Sequence, residues 1–244
     1  MGVERHHGTC GRPPAGFSLV ELLVVIAILG LLIGILVPSL AHAQALARRA
    51  ACASNLSELA QGCSIFANKG QYHRDGTTGT LPRADDLDTD NWGDLTNGNA
   101  AALWGLVERD IISPQVLMCS AAKATLDLQV PKATDGGLRA QTYGYSYLSQ
   151  VGGATELRKA RGDLVILADR NPRCRPGSEE IRTDEDGNNS KSHNRDGQNV
   201  VTSDGSARWA DTTQPNADDD IYRSASGDDA QGLRKNIDDS YLIP

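Results

Sequence analysis

Apolar residues are concentrated at one end of the chain. Leu22 to Val37 is a run of sixteen residues without a polar side chain, and from Phe17 to Val37 only Ser18 and Glu21 interrupt it. As a helix rising about 1.5 Å per residue, that segment spans roughly 30 Å, the thickness of a bilayer core. Beyond Pro38 the pattern changes. The stretch from Ser39 is Ala-rich, and Cys52, Leu56, Leu59, Cys63 and Phe66 step by four, three, four and three residues, which is one face of a helix. One long helix is therefore predicted over 17–69, transmembrane over 17–37 and amphipathic above it, with Asn68-Lys69-Gly70 as its stop. Pro38 has no amide proton and is expected to weaken this helix. Gly30 and Gly34 have the spacing that lets helices approach closely, although small residues are common in membrane helices generally.

The remainder reads as a small head of short elements. Residues 70–100 are rich in Gly, Asp, Asn and Thr and read as a long loop. A short helix is expected over Ala100 to Arg109, with Asn99 as its cap. Strands are expected over Gln115–Cys119, Thr142–Ser149, Asp163–Asp169, Gln198–Ser203 and Ser206–Ala210. The last two flank Asp204-Gly205, a two-residue hairpin signal. Strands joined by turns imply an antiparallel sheet, so the fold class is α+β, with the stripe from Cys52 to Phe66 packed on the sheet. The divisions are 1–16 as a leader, 17–69 as the helix, 70–210 as the head and 211–244 as an acidic, irregular tail.

Charge and composition narrow the function. The 244 residues carry 31 acidic and 24 basic side chains, a net charge of -7, which argues against a nucleic-acid partner. Aromatic residues are 5% of the chain, against 25 Gly and 10 Pro, so a large aromatic core is not expected and long loops are.

The leader MGVERHHGTCGRPPAG holds Arg5, Arg12 and two histidines against one Glu, consistent with a cytoplasmic N-terminus. A cleaved secretory signal is the simpler alternative, and Ala41, Ala43 and Ala45 imitate its cleavage site. The helical pattern runs on past an unusually long apolar core, however, which disfavours it. A plain anchor does not account for Glu21, because a carboxylate in a membrane segment is costly and is usually kept for a function.

The run GFSLVELLVVIAILGLLIGILVPSL resembles the N-terminus of type IV prepilins and type II secretion pseudopilins. The resemblance implies cleavage between Gly16 and Phe17 by a prepilin peptidase, N-methylation of Phe17, and Glu21 as the fifth mature residue. It also implies a pilin-like fold, a helix able to unravel between Gly30 and Pro38, and homo- or hetero-oligomeric assembly with other pseudopilins. An inner-membrane platform protein and an assembly ATPase are the further partners implied. The chain would be single-pass in a bacterial inner membrane, its head periplasmic or in an extracytoplasmic filament. A membrane-anchored, monomeric periplasmic binding module is the alternative from another class.

The segment ARRAACASNL is similar to a subgroup of these proteins in Arg48, Arg49, Cys52, Asn55 and Leu56. The arginine pair reads more simply as a solvated helix face. The same subgroup carries a His, nine residues, then Asp-Gly; here ten residues separate His193 from Asp204-Gly205. Tyr143 to Tyr147 and Leu164 to Arg170 also look similar to its head strands.

Four cysteines follow Gly16: Cys52, Cys63, Cys119 and Cys174. Cys52 and Cys63 lie about 16 Å apart along one helix and cannot pair with each other. If two bridges form, each helix cysteine reaches Cys119 or Cys174, which leaves two connectivities; buried free thiols are the alternative. No pair has Cys-x-x-Cys spacing, so zinc is not expected. No cofactor is expected either, apart from calcium as a weighed candidate. Asp184, Asp186 and Asn188 in TDEDGNNS offer oxygen ligands but lack the closing Glu of an EF-hand, and an acidic surface turn suits them better. His193, Asp196 and Asp204 are the raw material of acid–base chemistry. No nucleophile motif or phosphate loop accompanies them, and the chain is not read as an enzyme.

Overall fold

A computed structural model describes residues 16–73, 76, 78–83, 99–126, 144–148, 156–157, 159–173, 189–216, 219–223 and 242–243. Contacts divide the chain into two compact units, residues 1–44 and 45–244. The long helix α1, Leu19–Asn68, contributes to both.

In the first unit every described side chain is exposed, including the whole apolar run. By length and composition this part of α1 can cross a membrane. The expected weakening at Pro38 does not interrupt α1, which is helical on both sides of it. Pro38 removes one hydrogen bond from the ladder. Next to it the Ser39 hydroxyl donates to the Leu36 carbonyl at 2.8 Å.

In the second unit α1 is amphipathic as expected. Cys52, Leu56, Leu59, Cys63 and Phe66 are all buried. They join one core with the helix α2 (Asn99–Glu108), the 3-10 turn Pro114–Leu117, the helix α3 (Ser120–Leu126) and the sheet. Two expectations fail here. Residues 115–119 form no strand, because Pro114 starts a tight helical turn whose Val116 and Leu117 are buried. Asn99 is the first residue of α2, and its amide donates to the Tyr147 carbonyl at 2.5 Å.

Among the described residues the sheet has five strands: β1 (Tyr145–Leu148), β2 (Val165–Asp169), β3 (Gln198–Thr202), β4 (Ala207–Ala210) and β5 (Leu242–Ile243), ordered β4-β3-β2-β1-β5. Every pairing is antiparallel. Strands β1, β2 and β3 are buried along their whole length, so both faces are covered. That explains the unbroken apolar run at the start of β2. The architecture is the expected α+β, a long N-terminal helix with an antiparallel sheet.

The turn between β3 and β4 lies where Asp204-Gly205 predicts it, but four residues, Ser203 to Ser206, separate the two strands instead of two. Gly205 donates its amide to the Thr202 carbonyl at 2.8 Å, and Thr202 donates its amide to Ser206 at 3.1 Å. Gly205 then takes a left-handed conformation at φ 86°, a type of bulge that glycine favours. Three described parts of the 211–244 segment are residues 211–216, 219–223 and 242–243, and the last two join the core. Leu242 pairs with Leu148, and Ile221 and Tyr222 are fully buried. The Tyr222 hydroxyl donates to the Asp169 carbonyl at 2.6 Å.

Candidate functional site

Among the described residues, two groups carry chemistry, one in each unit. The first is the start of α1. Ser18 precedes the helix, and its hydroxyl accepts the Val20 amide at 3.3 Å. Glu21 reaches back, and its carboxylate accepts the Ser18 amide at 2.9 Å. This is a capping box, Ser-x-x-Glu, which satisfies two of the backbone donors that a helix start leaves open. The pattern is legible in the sequence just ahead of the apolar run, and it gives Glu21 a part in the helix start besides the one expected in assembly. Gly16 and Phe17 lie immediately before the box, with Phe17 exposed.

The second group surrounds a disulfide between Cys52 and Cys119, whose Cα atoms are 5.1 Å apart. Of the two connectivities left open, this one uses α1 and the residue before α3. Cys63 is a free, buried thiol, and Cys174 lies outside the described residues. Burial in an apolar core pushes the Cys63 thiol up to about 12.

The backbone at Cys119 is tightly positioned. Asn55 donates its side-chain amide to the Met118 carbonyl at 3.0 Å, and Gly144 donates its amide to Leu117 at 2.9 Å. A Cβ on Gly144 would collide with the Cys119 amide nitrogen, so only glycine fits there.

His193 and Asp169 complete the cluster. His193 ends the 3-10 turn Lys191–His193, which Ser190 caps by accepting the Ser192 amide at 3.3 Å. Its Nε2 lies 3.2 Å from Asp169 Oδ2, 3.4 Å from the Asn199 amide and 3.8 Å from Cys119 Sγ. The imidazole meets the Trp209 ring edge-on, with centroids 5.4 Å apart. Asp169 ends β2 with no exposed surface, and its Oδ2 also accepts the Asn199 backbone amide at 2.6 Å and side-chain amide at 3.1 Å. Its Oδ1 has no hydrogen-bond partner among the described residues. Burial and then the Asp169 charge raise the Tyr145 hydroxyl well above its ordinary range.

The three residues grouped by sequence proximity are separated in space. His193 faces Asp169, Asp196 faces Arg49, and Asp204 holds the hairpin turn. The separation arises locally, because Asn194 and Arg195 both adopt left-handed backbone at φ 56° and 65°. Arg49 is not simply solvated. Its guanidinium pairs with Asp196 at 2.8 Å and lies 4.1 Å above the Trp209 ring, whereas Arg48 is exposed.

Asp169 was visible only as the end of a strand, and nothing in its spacing links it to His193. Asp184, Asp186 and Asn188, the calcium candidates, lie outside the described residues.

Residues 12–37 match the family model described as the prokaryotic N-terminal methylation motif. The match covers Gly16, Phe17, Glu21 and Gly30, stops before Pro38, and does not reach His193. No curated protein and no solved structure shows significant similarity to the chain. The start of the chain therefore carries a prepilin-type motif on a helix able to cross a membrane.

Proposed function

We propose that the chain is a prepilin-like structural subunit, cut between Gly16 and Phe17 and methylated on the new Phe17 amine. The observation that carries this reading is the methylation-motif match over residues 12–37. The subunit then waits in a bacterial inner membrane with residues 17–37 in lipid and the rest outside the cytoplasm. A prepilin peptidase, other pseudopilin-type subunits, a platform protein and an assembly ATPase are its partners. The product is a type II secretion pseudopilus or a related type IV pilus.

The mechanism is mechanical, not catalytic. The apolar residues from Phe17 to Val37 are covered by nothing in their own unit, so lipid or neighbouring helices must cover them. Close packing replaces lipid contacts as subunits assemble, with Gly30 and Gly34 allowing near approach. Pro38 leaves one carbonyl without its helical donor, so the helix is cheapest to open between Gly30 and Pro38.

Glu21 supplies the register. Cleavage creates a positive amine at Phe17, one residue from the Ser18 amide that Glu21 holds. Pairing two opposite charges in lipid offsets the cost that either bears alone. Glu21 thus exchanges a cap within its own helix for an ion pair with the amine of a neighbouring subunit.

The test is Glu21→Ala beside Glu21→Gln, followed by membrane fractionation and filament isolation. Both variants are expected to stay membrane-inserted and to be missing from filaments, with Gln keeping part of the cap but not the charge. Normal filament incorporation of both would contradict the proposal and favour an anchored monomeric module.

A further inference from the structure

Four side chains of zinc-binding type converge on one buried point: Cys52, Cys119, Asp169 and His193. One ligand atom from each lies within 4.8 Å of all the others, and none of the four residues is exposed. They come from four separate places, namely α1, the residue before α3, the end of β2 and the 3-10 turn at 191–193. Spacing along the chain therefore gave no sign of them, and the absence of a Cys-x-x-Cys pair does not bear on the site.

We propose that when the Cys52–Cys119 bond is reduced, this cluster is a four-coordinate Zn2+ site. The ligands are both Sγ atoms, His193 Nε2 and one carboxylate oxygen of Asp169. A dithiol reductant supplies the two electrons and two protons that convert the disulfide to two thiols, and leaves as its own disulfide. Zinc then binds the two thiolates, and their two protons pass to water.

Geometry supports this assignment. Zinc lies about 2.3 Å from sulfur and about 2.0–2.1 Å from imidazole nitrogen or carboxylate oxygen. A tetrahedron of those lengths sets ligand atoms roughly 3.3 to 3.8 Å apart. His193 Nε2 already sits 3.2 Å from Asp169 Oδ2 and 3.8 Å from Cys119 Sγ. The two sulfurs must separate by breaking their bond, and pairs of ligand atoms that now stand up to 4.8 Å apart must draw together onto the ion.

The surroundings point the same way. A disulfide is neutral and has no use for a fully buried carboxylate beside it, yet Asp169 is there with Oδ1 unpartnered among the described residues. A dication held by either oxygen would balance the charge of that buried carboxylate. Outer contacts hold three of the four ligands in place: Asn199 on Asp169, Trp209 on the His193 ring, and the Tyr145 hydroxyl on the Cys52 carbonyl at 3.3 Å. Two thiolates, one imidazole and one carboxylate select zinc over calcium or magnesium, which take oxygen ligands.

The experiment uses the full chain in detergent, oxidised or reduced with a dithiol and freed of reductant without air. Each form is titrated with Zn2+, and with Co2+ as a spectroscopic probe. The reduced form is expected to keep its far-ultraviolet circular dichroism and bind one equivalent. Its Co2+ complex should show thiolate charge-transfer and the intense visible bands of tetrahedral coordination. The oxidised form should show neither. A Cys10→Ser, Cys63→Ala, Cys174→Ser variant should behave like the unaltered chain, and Asn199→Ala, a positioning change, should weaken binding about ten- to a hundredfold. The proposal is overturned if the reduced chain unfolds or takes up no Co2+, or if the oxidised chain gives the same spectrum. Loss of binding in the triple variant, with its fold intact, would overturn it too.

Discussion

His193 Nε2 lies 3.2 Å from Asp169 Oδ2 in the interior, with both side chains almost wholly removed from solvent. The two residues are 24 positions apart, and their pairing ties the 3-10 turn at 191–193 to the end of β2. A buried carboxylate is tolerable only while its donors are present. His193→Ala removes one of them and leaves Asp169 dependent on Asn199. Stability should fall by about 2–4 kcal/mol in chemical denaturation. In a double-mutant cycle, Asp169→Asn should recover part of that loss, since the stranded charge is gone. Additive effects of the two changes would show that the pair is not coupled.

Arg49 joins α1 to Asp196, just ahead of β3, through an ion pair and to Trp209 of β4 through a ring contact. The pair with Asp196 is partly exposed and worth about 0–1 kcal/mol, while the cation–π contact adds about 0.5–1 kcal/mol. Arg49→Lys keeps the charge but not the planar stacking, so it should lose roughly half of what Arg49→Ala loses. Arg48→Ala, at an exposed position, should change stability by less than about 0.5 kcal/mol. Equal effects at 48 and 49 would return both arginines to a solvated face.

Much of this architecture is legible in the sequence, and the reasons are specific. The stripe from Cys52 to Phe66 repeats at helical spacing, so α1 and its buried face follow from periodicity. Asp204-Gly205 marks its hairpin because few other residues tolerate the left-handed position that Gly205 occupies. Strands β1 to β4 each fall within an expected segment. The site is less legible because its members meet only through the fold. Asp169 follows four apolar residues in β2, and His193 sits closer in sequence to Asp196 and Asp204 than to its actual partner. Leu242 and Ile243 were hidden for a similar reason, since a two-residue edge strand in an acidic segment has no periodicity to detect.

The Cys63 thiol is shielded by the core that raises it to about 12. Thiolate is the reactive form, so a maleimide should leave Cys63 unmodified in the native protein across neutral pH. Peptide mass mapping should find it modified only after denaturation. Native labelling at pH 7 would mean that this part of α1 opens readily.

Asp204 accepts hydrogen bonds from the Thr202 hydroxyl and the Ser206 amide, and these hold its carboxyl below the usual aspartate range. A depressed folded value means that the ionised form stabilises the hairpin at pH values above the unfolded value, about 3.9. That contribution is lost as pH falls through the folded value. Asp204→Asn should therefore be less stable than the parent at pH 7, with the gap closing as pH falls below about 3.9. A gap that stays constant with pH would show that ionisation of Asp204 has no part in the turn.

The central claim concerns the start of the chain, where the motif match and the capping box meet at Gly16 to Glu21. It is tested most directly by the intact mass and N-terminal sequence of the protein from its native membranes. The account predicts a chain beginning at N-methylated Phe17. A chain still beginning at Met1, or one cut after Ala41 to Ala45, would contradict it: the first leaves an uncleaved anchor and the second a secreted head with no filament helix.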